Sequence, residues 1–178
     1  MVASTPSGLV MTTASGVALH GRHLNEVSAS TVGEFTAAVN NSAVDKILLT
    51  AGTYELTSTM CWQSAVCIDR ALTIEAGMPG TVVLNAMGAR RVLRIQSGGT
   101  VKLIGLNITG GYVSPASVFA FRTPQPLCVI SSSAPMERYV LGFGLQGGGL
   151  YIEGTATLTN TNVYSNQASG VRSLSALA

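Results

Sequence analysis

Few side chains in this sequence are equipped for chemistry. Only two of its eight acidic residues are aspartates, Asp45 and Asp69, and neither stands near another carboxylate in the chain. His20 and His23 have the i, i+3 spacing that can hold a metal ion on a helix. No cysteine or carboxylate accompanies them, so they read as part of a solvated tail and no metal site is expected. Cys61 and Cys67 enclose a five-residue loop that can close as a disulfide in an oxidising compartment, with Trp62 beside it. Cys128 leaves the cysteine count odd. The catalytic candidates are therefore Arg94, Glu75 and Glu153. A pair of glutamates can share acid and base work on a glycosidic bond, and a guanidinium can hold an acidic group in a planar fork. Thr73, Arg94, Gln96 and Tyr151 are the candidate ligand-binding residues, with Tyr151 offering a ring to a sugar face.

These residues lie far apart in the chain, so repeated elements must bring them together. Leu93-Arg94-Ile95-Gln96 aligns with Leu150-Tyr151-Ile152-Glu153. Downstream, Gly99-Thr100 meets Gly154-Thr155 and Asn107-Ile108 meets Asn162-Val163. A weaker copy, Leu72-Thr73-Ile74-Glu75, lies 21 residues before Leu93, and Leu150 lies 57 after it. Alternation at period two marks strands with one buried face, and fixed-period self-similarity marks stacked repeats. In this alignment Leu72, Leu93 and Leu150 form one inward column, and Ile74, Ile95 and Ile152 another. Thr73, Arg94 and Tyr151 then line an outward column beside Glu75, Gln96 and Glu153. Two strand spacings would put Glu75 about 9.6 Å from Glu153, at the upper limit for an inverting carboxylate pair. The competing reading is an ordinary polar sheet face.

In chain order, residues 1–27 read as a tail, with neither the charged start nor the continuous apolar run of a signal peptide. The chain therefore reads as a mature product or as a fragment of something longer. Residues 28–45 are expected to form an N-terminal capping helix, begun by a capping box at Thr31 and Glu34, with Val32, Phe35, Ala38 and Val39 on one face. Residues 46–111 carry the first repeats. Residues 112–147 hold four of the six prolines and no repeat signature, which marks an inserted loop. Its length also equals the excess spacing, since 57 − 21 = 36. Residues 148–170 form the last repeat, and 171–178 a second tail. Asn107 and Asn162 are expected to hydrogen-bond as a ladder at a bend. Asn107-Ile108-Thr109 and Asn40-Asn41-Ser42 both have the form of glycosylation sequons.

Strands this short, several to a repeat and with no helix between them, predict an all-β fold. The expected form is a single-stranded right-handed parallel β-helix of about four short rungs under an N-terminal α-helical cap. Residues 46–111 and 148–167 resemble the pectin-lyase-like, right-handed parallel β-helix superfamily. That resemblance implies the handedness and admits polysaccharide lyases and glycoside hydrolases as relatives. The aspartate and Gly-His-Gly motifs of its hydrolases have no counterpart here. The carboxylate cluster with which its lyases hold calcium is also missing, so calcium would be a cofactor only under a lyase reading.

Composition narrows the function further. A net charge of +2, with no run among ten basic residues, excludes an electrostatic footprint for nucleic acid. No apolar stretch reaches the ~18 residues of a membrane span. With 47% hydrophobic and 10% charged residues the chain can bury one large core. The reading reached is a non-catalytic binding domain of a secreted or surface protein, without a cofactor, taking a polysaccharide or a surface protein along its sheet faces. A pectin-lyase-like lyase or hydrolase and a structural fragment of a longer repeat protein are the alternatives. The last strands show no obvious cover, so end-to-end self-association is a further expectation.

Overall fold

Leu72, Ile74 and Ala76 are buried while Thr73 and Glu75 are half-buried, the pattern of a strand with one face in the core. The same alternation builds most of the protein. The computed structural model describes residues 25–113, 139–142, 145–146 and 148–168. His20, His23, Cys128 and the greater part of both expected tails fall outside these residues.

The chain begins with β1 (Glu26–Ala29), α1 (Val32–Asn40), β2 (Lys46–Leu49), β3 (Gly52–Glu55) and β4 (Ser64–Ile68). It continues through β5 (Ala71–Ala76), β6 (Val82–Asn85), β7 (Arg91–Ile95), β8 (Thr100–Ile104), β9 (Leu106–Thr109) and β10 (Tyr112–Val113). Then come β11 (Tyr139–Gly142), β12 (Leu145–Gln146), β13 (Leu150–Ile152), β14 (Thr155–Thr159), β15 (Asn162–Val163) and β16 (Gln167–Ala168).

These strands form three main sheets. The first has six strands in the order β1-β2-β5-β8-β14-β11, the second four, β12-β13-β7-β4, and the third four, β15-β9-β6-β3. Strands β10 and β16 make a separate parallel pair. Pairing is parallel throughout except at two edges, where β11 joins β14 and β12 joins β13 antiparallel. The expected single-stranded β-helix of four rungs under a helical cap is corrected accordingly. The architecture is three largely parallel sheets with antiparallel edge strands, and its one described helix is short.

The helix starts as the sequence requires. Thr31 Oγ1 accepts from Glu34 N at 3.2 Å, and the Glu34 carboxylate accepts from Thr31 N at 3.2 Å and Ser30 N at 2.7 Å. Those backbone and hydroxyl donors hold the Glu34 pKa below its usual value. Phe35, Ala38 and Val39 enter the core. At the other end the Arg70 guanidinium donates to the carbonyls of Val44, of Val39 at 3.1 Å and of Asn41 at 2.9 Å. A cation thus satisfies carbonyls that a helix end leaves open. The segment 28–45 is not a cap placed before the strands: β1 precedes the helix and extends the first sheet through its pairing with β2.

Register shows where the repeat holds and where it slips. Leu93 pairs with Leu150, and Ile95 with Ile152. On the other side of β7, Leu93 pairs with Val66 and Ile95 with Ile68. Leu72 and Ile74 instead pair with Val101 and Leu103 in the first sheet, so they leave the expected columns. A 21-residue step is not the spacing of paired residues either. Leu93 lies 93 − 66 = 27 after Val66, Val101 lies 101 − 72 = 29 after Leu72, and Leu106 lies 106 − 82 = 24 after Val82. Strands of neighbouring sheets share one alternation, and alternation alone does not say which sheet a strand joins.

Two local features fix the stacking. Asn162 Nδ2 donates to Asn107 Oδ1 at 2.9 Å, and Asn107 Nδ2 to the Gly80 carbonyl at 2.8 Å. The partner of Asn107 on its other side is Val83, so the ladder is two asparagines long. Lys46 Nζ reaches Glu26 and Glu75 at 3.0 Å each, one carboxylate on either neighbouring strand. The residues 112–147 do not form a loop lying wholly outside the sheets, since they supply β10, β11 and β12.

Candidate functional site

Strand β7 alternates Leu93 and Ile95 into the core and leaves Arg94 on the opposite face. Its neighbours set what Arg94 meets there: Cys67 on β4 and Tyr151 on β13 are its register partners. Glu153 follows β13, fixed by its N–H to the Ile95 carbonyl at 2.7 Å. The Glu153 carboxylate then takes Arg94 in a bidentate grip, Oε2 accepting from Nε at 3.1 Å and from Nη2 at 2.9 Å, and Oε1 from Nη2 at 3.1 Å. Tyr151 adds its hydroxyl, donating to Glu153 Oε1 at 2.9 Å. Such a fork is among the stronger ion pairs a protein makes.

A second arginine completes the cluster. Arg91 begins β7 and is 1% exposed, the largest fully buried side chain of the described residues. Its Cζ lies 5.0 Å from the Tyr151 ring and 5.8 Å from the Trp62 ring. Arg94 sits the same way, 5.1 Å from Tyr151 and 5.9 Å from Trp62. All four distances fall within cation–π range. Nε and Nη1 of Arg91 have no hydrogen-bond partner among the described residues. Burial pushes the Arg91 pKa down, an effect partly opposed by the nearby Tyr151 and Glu153 and reinforced by Arg94. Burial likewise raises the Tyr151 pKa, helped by the hydrogen bond to Glu153.

Trp62 owes its place to a tight turn. Cys61 and Cys67 are joined by a disulfide with Cα atoms 6.0 Å apart, an ordinary span for such a bridge. Within the turn Ser64 N donates to the Cys61 carbonyl at 2.8 Å, and Gln63 takes φ 53°, the left-handed region. The indole is 43% exposed and is the member of the cluster most open to solvent.

Several expected site residues lie elsewhere. Glu75 and Thr73 are on β5 in the first sheet, where their register partners are Leu48 with Ile104 and Lys46 with Lys102. Glu75 is bound to Lys46 at 3.0 Å, and Glu153 to Arg94. The two glutamates therefore do not form the carboxylate pair that the repeat alignment suggested. Gln96 sits just past β7, its backbone N–H on the Ile68 carbonyl and its own carbonyl accepting from Gly99 N. Tyr151 was expected to face solvent and is 4% exposed. It packs against the arginines instead of standing free as a stacking platform.

Sequence reasoning missed Arg91 and the ring of Trp62. Arg91 shares the parity of Leu93 and Ile95, where alternation expects an apolar residue. A lone arginine in that position was the available signal. Among the described residues no group of three or more His, Cys, Asp or Glu could hold a metal ion. None of their helices is long and apolar enough to cross a membrane. No family model, curated protein or solved structure matches the chain.

Proposed function

We propose that the chain is a non-catalytic binding domain of a secreted or surface protein, and that it takes glycan at the Trp62–Arg94–Tyr151 face of the second sheet. One observation carries the reading. A half-exposed indole lies over two guanidiniums on a sheet face, with a buried tyrosine against the same two groups. An exposed aromatic ring offers an apolar face to the C–H side of a sugar, and adjacent arginines offer donors to its oxygens. The disulfide beside Trp62 supports an oxidising compartment. The lyase or hydrolase reading loses its carboxylate pair, because Glu75 is on β5 of the first sheet, Glu153 follows β13 of the second, and each holds its own cation.

The test is binding of neutral and acidic polysaccharides by affinity electrophoresis, with parallel assays for reducing ends and unsaturated products. Retardation by at least one polysaccharide, lost about tenfold or more in Trp62→Ala and without product, is the expected outcome; that loss corresponds to about 1.4 kcal/mol. Turnover of any polysaccharide, or no retardation by all of them, would remove the proposal.

A further inference from the structure

Two guanidiniums and one carboxylate meet at this site, and the carboxylate is already committed. Arg94 uses its Nε and Nη2 on Glu153. Arg91 has aromatic faces about it, and its Nε and Nη1 lack acceptors although the residue is 1% exposed. A buried cation with N–H groups left unpaired is expensive, and proteins keep one where something else supplies the missing acceptor. Aromatic faces attract the guanidinium through their quadrupoles but accept no N–H bond in its plane. Among the described residues the cluster therefore holds two guanidiniums against one carboxylate, on a sheet face.

We infer that Arg91 is the seat for a single oxyanion, a sulfate ester or carboxylate carried on the glycan, with Trp62 as the ring that moves aside to admit it. The choice of ligand follows from the donors. A guanidinium is weakly hydrated and presents several N–H groups in one plane, which suits a compact group with two or more charged oxygens. Trp62 is the natural gate because it covers both arginines and is the cluster member most open to solvent. Glu153 sets the stoichiometry: by neutralising Arg94 it leaves charge for one anionic group and not two. The sugar that carries the anion rests on the glycan-binding reading above, whereas the anion seat itself does not.

Trp62 is the only tryptophan in the chain, so its fluorescence reports directly on the site. The wild-type protein is titrated with sodium sulfate against sodium chloride at matched ionic strength. A saturable change specific to sulfate is expected, and its absence overturns the inference. Arg91→Met is expected to lose that response at least tenfold while its urea midpoint stays equal or rises, since an apolar side chain of similar length replaces a buried charge at no loss. An unchanged sulfate response in Arg91→Met overturns the inference. Glu153→Gln frees Arg94 and is expected to bind sulfate several-fold more tightly; unchanged or weaker binding in this variant counts against the seat even if Arg91→Met fails to fold. Sulfated, uronate-containing and neutral polysaccharides of similar length then identify the carrier. At least tenfold preference for one anionic class over the neutral polymer, abolished in Arg91→Met, supports the inference and names the anion. Equal binding of all three overturns it and leaves the glycan reading standing. Sulfate binding with no polysaccharide binding, or with poly-glutamate bound instead, keeps the seat and removes the glycan as its carrier.

Discussion

Tyr151 shows at the level of one side chain how the site departs from a polar sheet face. Its hydroxyl is tied to Glu153 and its ring is enclosed by two cations, so ionising it would place a second anion beside a carboxylate in a poorly hydrated setting. Burial first, and then the hydrogen bond to Glu153, raise its pKa above the ordinary value of 10.0. A pKa raised on folding means that the contribution to stability is complete below the unfolded value and is lost as pH climbs through the folded one. Absorbance titration of the phenolates should therefore contain a late-ionising component, and Tyr151→Phe should lack it. Above about pH 10 the wild type should also lose stability relative to Tyr151→Phe. A Tyr151 that titrates with the free phenol would mean that water reaches the cluster.

At the scale of elements, legibility followed locality. The capping box at Thr31 and Glu34 is written in four consecutive residues, and the helix begins there. The pairing of Leu93 with Leu150 and of Asn107 with Asn162 was also readable, because two long copies share a Gly-Thr turn that fixes their alignment. The copy at Leu72 was too short to carry such a marker, and its alternation fits β4 or β5 equally well. That single ambiguity moved Glu75 and Thr73 into a site to which they do not belong. Residues 112–147 were misread for a different reason. Strands β11 and β12 pair antiparallel at sheet edges, and a search for parallel repeats is blind to them. Their pairing changes what a deletion should do. Removing residues 112–147 and joining the ends with a Gly-Ser linker should lower stability by about 2–4 kcal/mol, from the ladder hydrogen bonds lost and the β13 and β14 backbone uncovered. Urea denaturation would read the change, and a midpoint equal to wild type would show that β11 and β12 contribute nothing to the sheets.

For the whole molecule, those same strands revise the expected end-to-end association. The last long strand, β14, has β8 on one side and β11 on the other, and β13 lies between β7 and β12. The edge strands at that end are β11, four residues long, and β12, β15 and β16, two residues each. At the opposite edges β1 presents Glu26, β3 presents Glu55, and β4 packs near α1. Short or charged edges are how sheets avoid pairing with further chains. Sedimentation velocity across a hundredfold concentration range should then give one species of constant size. A sedimentation coefficient that rises with concentration would show that an edge is open after all. The core beneath is continuous, running from Phe35 on the buried face of the helix through Ile74 and Ile95 to Leu158, so the sheets are expected to unfold together.

Lys46 has a role in this assembly that its energy does not convey. Being partly exposed, its links to Glu26 and Glu75 add little to stability. What they add is discrimination between alternative partners. Three parallel strands in the order acid, base, acid leave each carboxylate facing a cation and keep the two carboxylates apart. If β1 were to pair with β5 directly in the same register, Glu26 would lie beside Thr73 and two residues from Glu75, with no cation between the two carboxylates. If β1 slipped by one residue, Glu26 would turn to the other face, where the strand should bury apolar side chains. Both errors are penalised before any core packing is lost. A parallel sheet has no tight turn to dictate which strand comes next, and here one lysine supplies that information through charge, marking β2 as the strand that belongs between β1 and β5.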